Sequence, residues 1–446
     1  MAPSTSEQVL CNAVLIISKV MRALNIPRAI AAGYPSLFIL PQISSITGGL
    51  LTTIGLVAYT SLSKQPPRKV LRGAGLVILL LLALQELRFE RSLIEDFTPY
   101  TEGKFFRDSI HYLKTDSGQE TRPCLQLFHG FGASSLSFLS VINHFRDTAH
   151  VFAADLVGFG FNKRSKLSKL SRAIYSPRWN AAVSHQIVNG SNIGASEYVV
   201  VGHSMGAIPA IIATALRRHE SPTTNLSLVL EAPALNLESS LNHIEDKEVI
   251  RNLALDAVSE YRNDARIKKP FLSRLMTLPL LPLSLLRWMG VLALRFLIRR
   301  LTQLESLWNN GLKSAFYDFR RNTIPGPIGY SLPSKAKGFD KQFIDFVLSP
   351  AQFRYTNRFI GNGITALDAL RALHSNGVRI TLVHGKNDKV VPLAVSRRIK
   401  SQLSGIELHE IDECGHIPHE ERPEVFNAIL DNFVIHNAPH TVICEP

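Results

Sequence analysis

One serine in the chain stands where a nucleophile would be expected. Residues 202–206 read GHSMG, a G-x-S-x-G pattern between a short apolar run and a helical pattern. On such a sharp turn the hydroxyl of Ser204 projects into a cleft, while the small residues Gly202 and Gly206 let the turn pack closely. The pattern predicts Ser204 as a nucleophile on an elbow, with its neighbour His203 in a supporting role.

A serine nucleophile needs a base, and the base needs an acid that orients it. Asp388 ends the motif HGKND, and His416 follows a glycine further along the chain. We therefore expect Ser204, Asp388 and His416 to act together. Two alternatives stay open at this stage. Glu231, at the end of another apolar run, could be the acid, and His419, which lies close to His416 in sequence, could be the base.

Acyl transfer places negative charge on a carbonyl oxygen, so hydrogen-bond donors must already point at it. The motif HGFG at 129–132 follows an apolar run directly, and its glycines allow a backbone to approach a substrate. The predicted oxyanion donors are the backbone N–H groups of Phe131 and Met205. We predict no metal and no cofactor, since the sequence contains no zinc, phosphate-binding or dinucleotide signature.

The elements that must position these residues are short apolar runs alternating with helical patterns. Runs that are apolar throughout are typical of parallel strands covered on both faces, and their alternation with helices predicts an α/β fold. The loops at the carboxyl ends of such strands hold the residues singled out above. The candidate strands are Cys124–Phe128, His150–Ala154, Tyr198–Val201, Leu226–Leu230, Arg379–Val383 and Glu407–Ile411, and the elbow leads into a predicted helix at Ala207–Arg217.

Taken together, these motifs resemble the α/β-hydrolase superfamily, in its lipase, esterase and C–C-bond hydrolase branch. The matching pieces cover roughly residues 105–435 and are HGFG, DLVGFG at 155–160, GHSMG, HGKND and GHIPHEERPE at 415–424. The resemblance implies a mostly parallel sheet flanked by helices, and a triad in the order Ser204, Asp388, His416. The chain departs from the usual pattern at Val157, where proline is common, and at Ala207, where glycine is common.

The run before Glu231 ends at Leu230 and the next predicted strand begins at Arg379, and most of the chain between them, about 120 residues, is an insertion. We predict that residues 232–350, between the predicted strands Leu226–Leu230 and Arg379–Val383, form a helical cap, and that residues 93–231 and 351–446 form the core. We refer to residues 232–350 as the cap segment. It carries 17 basic and 11 acidic residues and ends in a Pro/Gly-rich stretch, 324–329, that reads as a loop.

One stretch of the cap segment, Leu283–Leu301, is strongly apolar but carries a basic stripe of Arg287, Arg295 and Arg299. It fits a buried helix that lines an acyl pocket, and it also fits an amphipathic helix on an anionic bilayer. The arginines argue against a transmembrane helix. The basic residues accompany Leu, Ile and Phe, a setting that disfavours nucleic-acid binding.

Residues 1–92 differ from the rest in hydrophobicity and charge. Residues 29–63 contain no charged side chain, Ile43–Leu62 is long enough to span a bilayer, and Gly73–Leu84 is a second, shorter apolar run. This pattern predicts a membrane anchor in a plastid, mitochondrial or endoplasmic reticulum membrane. The alternatives are an acid-poor organellar targeting segment and a buried pair of core helices.

We therefore expect a membrane-associated serine hydrolase that cleaves the carboxylic ester of a lipid or other apolar acyl compound. Alternatives of the same fold are a thioesterase, a C–C-bond hydrolase and an acyltransferase, and a non-catalytic scaffold is the alternative of another class. The composition, 46% hydrophobic and 19% charged, excludes a chain that is disordered throughout, and the spacing of the four cysteines excludes a disulfide scaffold. The oligomeric state stays open.

Deleting residues 1–92 tests the predicted anchor. We expect the shortened protein to move from the membrane pellet to the soluble fraction, because the deletion removes the uncharged stretch at 29–63. Ultracentrifugation of cell lysates in the absence of detergent measures this shift. A shortened protein that still pellets would place the membrane contact in the cap segment instead.

Overall fold

The computed structural model describes much of the chain between residues 103 and 434. The parts outside the description are residues 1–102, 108, 116–121, 164–166, 168–171, 192, 194, 196, 239–244, 264–293, 322–325, 350–357 and 435–446. The predicted anchor therefore lies outside the described residues, as does most of the apolar stretch Leu283–Leu301. No helix in the described ranges has the length and apolar character needed to cross a membrane.

A sheet of eight strands forms the centre of the protein, in the order β1-β2-β4-β3-β5-β6-β7-β8. The pairs β1–β2 and β2–β4 are antiparallel, and every other neighbouring pair is parallel. The strands are β1 Lys104–Phe106, β2 Ile110–Lys114, β3 Cys124–Phe128, β4 His150–Ala154, β5 Glu197–His203, β6 Asn225–Glu231, β7 Arg379–Gly385 and β8 Glu407–Ile411.

The prediction of a mostly parallel α/β sheet is confirmed. Every residue of β3, β4 and β5 is buried, so these strands are covered on both faces, because successive side chains point to opposite sides. The six predicted strands correspond to β3 through β8, and three of them have the predicted bounds. The short antiparallel strands β1 and β2 extend the sheet beyond β4.

Helices cover the sheet in two packed groups. Helices α3 and α4 contact each other, and each of them also contacts α2 and α8, while α1, α10 and α11 contact one another. The helices are α1 Leu139–Phe145, α2 Pro177–Asn189, α3 Ala207–Glu220, α4 Asp246–Asn263, α5 Glu305–Ala315, α6 Gly326–Ser331, α7 Phe339–Val347, α8 Ala366–Ser375, α9 Ala394–Gln402, α10 Pro418–Glu421 and α11 Pro423–Val434.

Different parts of the cap segment pack in different places, one part in the main hydrophobic core and another part beside the loop of His416. The apolar face of α4 belongs to the main hydrophobic core. Leu312 and Phe316 instead form a separate cluster that includes Tyr330 and Ile417. The predicted loop at 324–329 is wrong in its second half, because α6 begins at Gly326, whose φ of +58° is a conformation that glycine adopts freely.

The basic stripe of the cap segment is paired within the protein where the structure describes it. Residues 294–301 are helical, and the Arg295 Nε and Arg299 Nε atoms lie 2.6 and 3.1 Å from Asp340 Oδ2. The Asp340 side chain is 2% exposed, so the pairing is an internal one. Two of the three arginines thus have a structural partner, and Arg287 lies outside the described residues.

Candidate active site

The turn after β5 holds Ser204 in an unusual backbone conformation. Its φ is +53°, in the left-handed region that residues other than glycine rarely adopt. The glycines beside it are required by space: a methyl group built on Gly206 would lie 2.3 Å from the Phe128 carbonyl oxygen, and one on Gly202 would lie 2.6 Å from Ala210 Cβ. The predicted elbow is therefore present, with α3 following directly.

Three residues from separate loops form a hydrogen-bonded array. Ser204 Oγ lies 3.0 Å from His416 Nε2, and His416 Nδ1 lies 2.7 Å from Asp388 Oδ2. An ionised carboxylate only accepts hydrogen bonds, so the proton is on Nδ1, and the Nδ1–H group donates a hydrogen bond to Asp388. Nε2 then has a free lone pair directed at the Ser204 hydroxyl, which is the arrangement of a base beside a nucleophile.

Donors surround the carboxylate of Asp388. Its Oδ1 accepts from the backbone N–H groups of Val390 at 2.7 Å and Val391 at 2.9 Å, and its Oδ2 lies 3.1 Å from His384 Nε2. Burial opposes ionisation, but the hydrogen bonds from His384 and His416 outweigh it and lower the pKa of Asp388. Asp388 is therefore ionised at neutral pH. His384 was not singled out from the sequence, although it opens the HGKND motif.

The alternative acid, Glu231, is directed at a different histidine. Glu231 Oε1 accepts from the His419 backbone N–H at 2.8 Å, and Glu231 Oε2 lies 2.7 Å from His419 Nδ1. Both side chains are fully buried. Burial works against a charged imidazole, but the attraction of Glu231 raises the pKa of His419. The two alternatives raised by the sequence thus form a pair of their own, and Asp388 is the carboxylate in contact with His416.

His203 lies between the two histidines of the carboxyl-terminal loop. Its ring centroid is 4.9 Å from that of His416 and 5.1 Å from that of His419, and its Nε2–H donates to the His416 carbonyl oxygen at 3.0 Å. Burial, followed by the neighbouring His416 and His419, lowers the pKa of His203 well below its ordinary value. A neutral His203 thus holds the backbone of His416, and its supporting role in a reaction stays a prediction.

The loop 129–132 lies directly against the nucleophile, since a methyl group built on Gly130 would be 3.2 Å from Ser204 Cβ. His129 Nε2 accepts from the Leu156 backbone N–H at 2.9 Å, so its Nδ1–H donates to the Gly130 carbonyl oxygen at 2.8 Å. The C=O of Gly130 and the N–H of Phe131 point in opposite directions across one planar peptide. His129 therefore directs the Phe131 N–H away from itself.

The second predicted donor, Met205, follows Ser204 in the short 3-10 turn that leads into α3. Backbone N–H groups at the start of a helical segment have no partner within it and are suited to receive negative charge. Met205 thus adjoins Ser204 in the chain, and Phe131 follows Gly130, whose backbone lies against Ser204. Within the described ranges, no group of three or more His, Cys, Asp or Glu residues is arranged to hold a metal ion.

The cap segment holds the loop that carries His416. The His416 N–H donates to the Ala315 carbonyl oxygen at 2.6 Å, and Gly415 N–H donates to Glu421 Oε2 at 2.6 Å. A methyl group on Gly415 would lie 2.2 Å from the same Ala315 oxygen, so only glycine allows this approach. Sequence reasoning missed Ala315 because no motif connects it to a loop about 100 residues later in the chain. It also missed Glu421, which lies within the motif at 415–424 but carries no signal of its contact with Gly415.

Comparison with known proteins assigns the chain to a family. A family model described as the alpha/beta hydrolase fold matches residues 123–423, from β3 to the start of α11. The chain belongs to this family. The match includes the elbow, the cap segment and the loops of Asp388 and His416.

Several relatives align with most of the chain, and their names give different activities. The chain is 24% identical to an uncharacterised hydrolase, YugF, of Bacillus subtilis, over 73% of this chain and 92% of that protein. It is 25% identical to 2-hydroxymuconate semialdehyde hydrolase of Pseudomonas putida, over 74% and 91%. It is 21% identical to monoacylglycerol lipase ABHD6 of Mus musculus, over 71% and 77%.

The positive φ of Ser204 predicts that Ser204→Gly is more stable than Ser204→Ala, the reverse of the order expected in an ordinary strand or helix. Ser204→Gly and Ser204→Ala both remove the hydroxyl, but only alanine keeps a Cβ that the left-handed conformation disfavours. We expect Ser204→Gly to unfold with a free energy about 0.5–1 kcal/mol higher than Ser204→Ala, because relief of strain exceeds the entropic cost of glycine. Urea unfolding followed by fluorescence measures both values.

Ser227 in β6 provides the control, since glycine weakens the interior of a strand. Here Ser227→Ala should be the more stable of the two substitutions. If alanine is also more stable than glycine at position 204, the backbone of the elbow is not strained.

Proposed function

We propose that this α/β hydrolase is a serine hydrolase that cleaves carboxylic esters of a lipid or other apolar acyl compound. The observation that carries the proposal is the array of Ser204, His416 and Asp388, with contacts of 3.0 and 2.7 Å and the proton of His416 on the nitrogen that faces Asp388. The serine is nearly buried yet adjoins the loop 129–132, where a carbonyl oxygen would meet oriented N–H groups.

In the proposed reaction, the Ser204 oxygen attacks the ester carbonyl carbon while His416 Nε2 takes the hydroxyl proton. The resulting oxyanion accepts hydrogen bonds from the N–H groups of Phe131 and Met205. His416 then gives its proton to the alcohol that leaves, and the acyl group stays on Ser204. Water attacks the acyl-enzyme with His416 again as the base, which releases the acid and restores the serine. Asp388 stabilises the imidazolium in both steps.

An apolar substrate is supported by the aromatic side chains beside the oxyanion loop. The Phe131 ring is 41% exposed, and its centroid lies 5.2 Å from that of Phe159 and 6.1 Å from that of Phe343. Phe346, on the same helix α7 as Phe343, lies 4.6 Å from Phe159. These rings join the cap segment to the loop whose backbone would contact the carbonyl, so an acyl chain bound there would meet apolar surface.

Membrane association through residues 1–92 is part of the proposal. It is supported by the uncharged stretch 29–63 and by the length of Ile43–Leu62, both read from the sequence. An anchored enzyme would meet lipid esters at the bilayer surface, where such substrates are concentrated.

Cleavage of a carbon–carbon bond is the second candidate function. It is favoured by the relative from Pseudomonas putida, a 2-hydroxymuconate semialdehyde hydrolase that aligns over 91% of its own length. The same serine, histidine and aspartate could serve either reaction, so the array alone leaves both open. Substrate panels separate them.

A fluorophosphonate probe tests the nucleophile, because it reacts with a serine that a neighbouring base has activated. We expect the full-length protein in detergent to be labelled, and Ser204→Ala to remain unlabelled. A matched panel of 4-nitrophenyl esters from acetyl to palmitoyl should show higher kcat/KM for the longer chains. Ser135→Ala is the control, since the hydroxyl of this buried serine lies beside His111 Nδ1, whereas that of Ser204 lies beside His416 Nε2.

Equal labelling of the wild type and Ser204→Ala would overturn the proposal. A protein that is labelled, leaves every ester intact and cleaves a dienone of the meta-cleavage type would support the second candidate instead.

The contacts of the two buried acids predict opposite outcomes for two similar substitutions. Asp388→Asn should lower kcat on a short ester by about three to four orders of magnitude, because an amide no longer fixes the tautomer of His416. Glu231→Gln should lower kcat by less than about tenfold, because its partner is His419. Steady-state kinetics at pH 7.5 measures both, with circular dichroism as the check on folding. The reverse order would make Glu231 the acid.

A further inference from the structure

A buried hydrogen bond outside the triad joins the cap segment to the segment that follows His416. The Tyr330 hydroxyl, on α6, donates to Glu420 Oε1 on α10 at 2.7 Å. Tyr330 is 8% exposed and Glu420 is 1% exposed, so water does not compete for the contact. Glu420 follows His416 by only four residues, which places this contact close to the loop that the triad depends on.

Neighbouring contacts join the same two segments. The carboxylate of Glu421 bridges them, since its Oε2 accepts from the Gly415 N–H and its Oε1 accepts from the Asp318 N–H, both at 2.6 Å. Ile417, next to His416 in the chain, packs in the apolar cluster that contains Tyr330. The cap segment therefore contacts the residues on both sides of His416.

We propose that Tyr330 and Glu420 are positioning residues, whose hydrogen bond holds the cap segment against residues 415–421 so that the His416 ring stays between Ser204 and Asp388. The kinetic part of this inference rests on the proposed function. Neither side chain is hydrogen-bonded to a triad side chain, so their effect must pass through the backbone of the loop.

The ionisation of Glu420 distinguishes this contact from an ordinary surface pairing. The groups that face it are His419 from α10, Tyr330 from α6 and Glu231 from β6. Burial raises the pKa of Glu420 to about 7, with Glu231 acting in the same direction. Because the folded-state pKa is raised, the neutral carboxyl stabilises the fold fully below the ordinary carboxyl pKa, and this contribution is lost as pH rises towards 7.

Tyr330→Phe tests the proposal by removing only the donor. We expect kcat on a short ester to fall about tenfold, the factor that corresponds to one buried hydrogen bond, with KM within about twofold. Amide hydrogen exchange in peptides covering 412–422 should become faster. Tyr261→Phe is the matched control, because the Tyr261 hydroxyl is buried and has no hydrogen-bond partner among the described residues.

Substitutions of Glu420 test the acceptor independently and decide the matter if Tyr330→Phe does not fold. Glu420→Gln keeps an acceptor oxygen and should retain the kcat of the wild type, whereas Glu420→Ala should resemble Tyr330→Phe. In addition, the melting temperature of the wild type relative to that of Glu420→Gln should fall between pH 5 and pH 8, since only the wild type has a carboxyl to ionise.

Each outcome bears on one of the two proposals. Unchanged kcat and unchanged exchange at 412–422 in Tyr330→Phe would overturn the positioning role while leaving the serine hydrolase intact. Loss of kcat in Glu420→Gln equal to that in Glu420→Ala would also overturn it. A wild type that cleaves no ester and resists the fluorophosphonate would overturn the proposed function, and the exchange experiment would still decide whether the hydrogen bond holds the loop.

Discussion

The arrangement of the site depends on the close packing of one turn. Ser204 has a left-handed φ, and the loop is narrow because the Phe128 carbonyl oxygen and Ala210 Cβ leave no room for side chains at Gly206 and Gly202. That packing fixes the end of β5 against the start of α3, and everything else is placed relative to it. The loop 129–132 lies against Ser204, and His416 Nε2 lies within hydrogen-bond distance of its hydroxyl.

The backbone of His416 is held from two directions. Its N–H donates to Ala315 of the cap segment, and its carbonyl oxygen accepts from His203 beside the nucleophile. A histidine held only by its side-chain contacts could rotate out of line, whereas one held at both peptide groups keeps its ring between serine and carboxylate. The cap segment thus helps to fix the position of the His416 ring.

Much of this could be predicted from the sequence, and the rest could not for physical reasons. Strands β3 and β4 were predicted with the observed bounds, because a parallel strand covered on both faces is mostly apolar. Strand β8 was also predicted with its observed bounds, although it lies at the edge of the sheet and is largely only half-buried. Ser204, Asp388 and His416 each lie in a short motif that includes a glycine and lies at or just after the end of a strand, so each could be recognised from local sequence. The contacts of Ala315 with His416, of Tyr330 with Glu420 and of Asp318 with Glu421 have no local signature, since they depend on how a distant segment folds back.

The order of these residues along the chain has a consequence for synthesis. The contact of Ser204 with His416 spans 212 positions, and the cap segment is made between them. If chains emerge from the ribosome amino-terminus first, the nucleophile is exposed long before its base exists. A serine without a base is a weak nucleophile. Ser204 would therefore gain its hydrogen bond to His416 only after the cap segment and the last strands have been made and have folded.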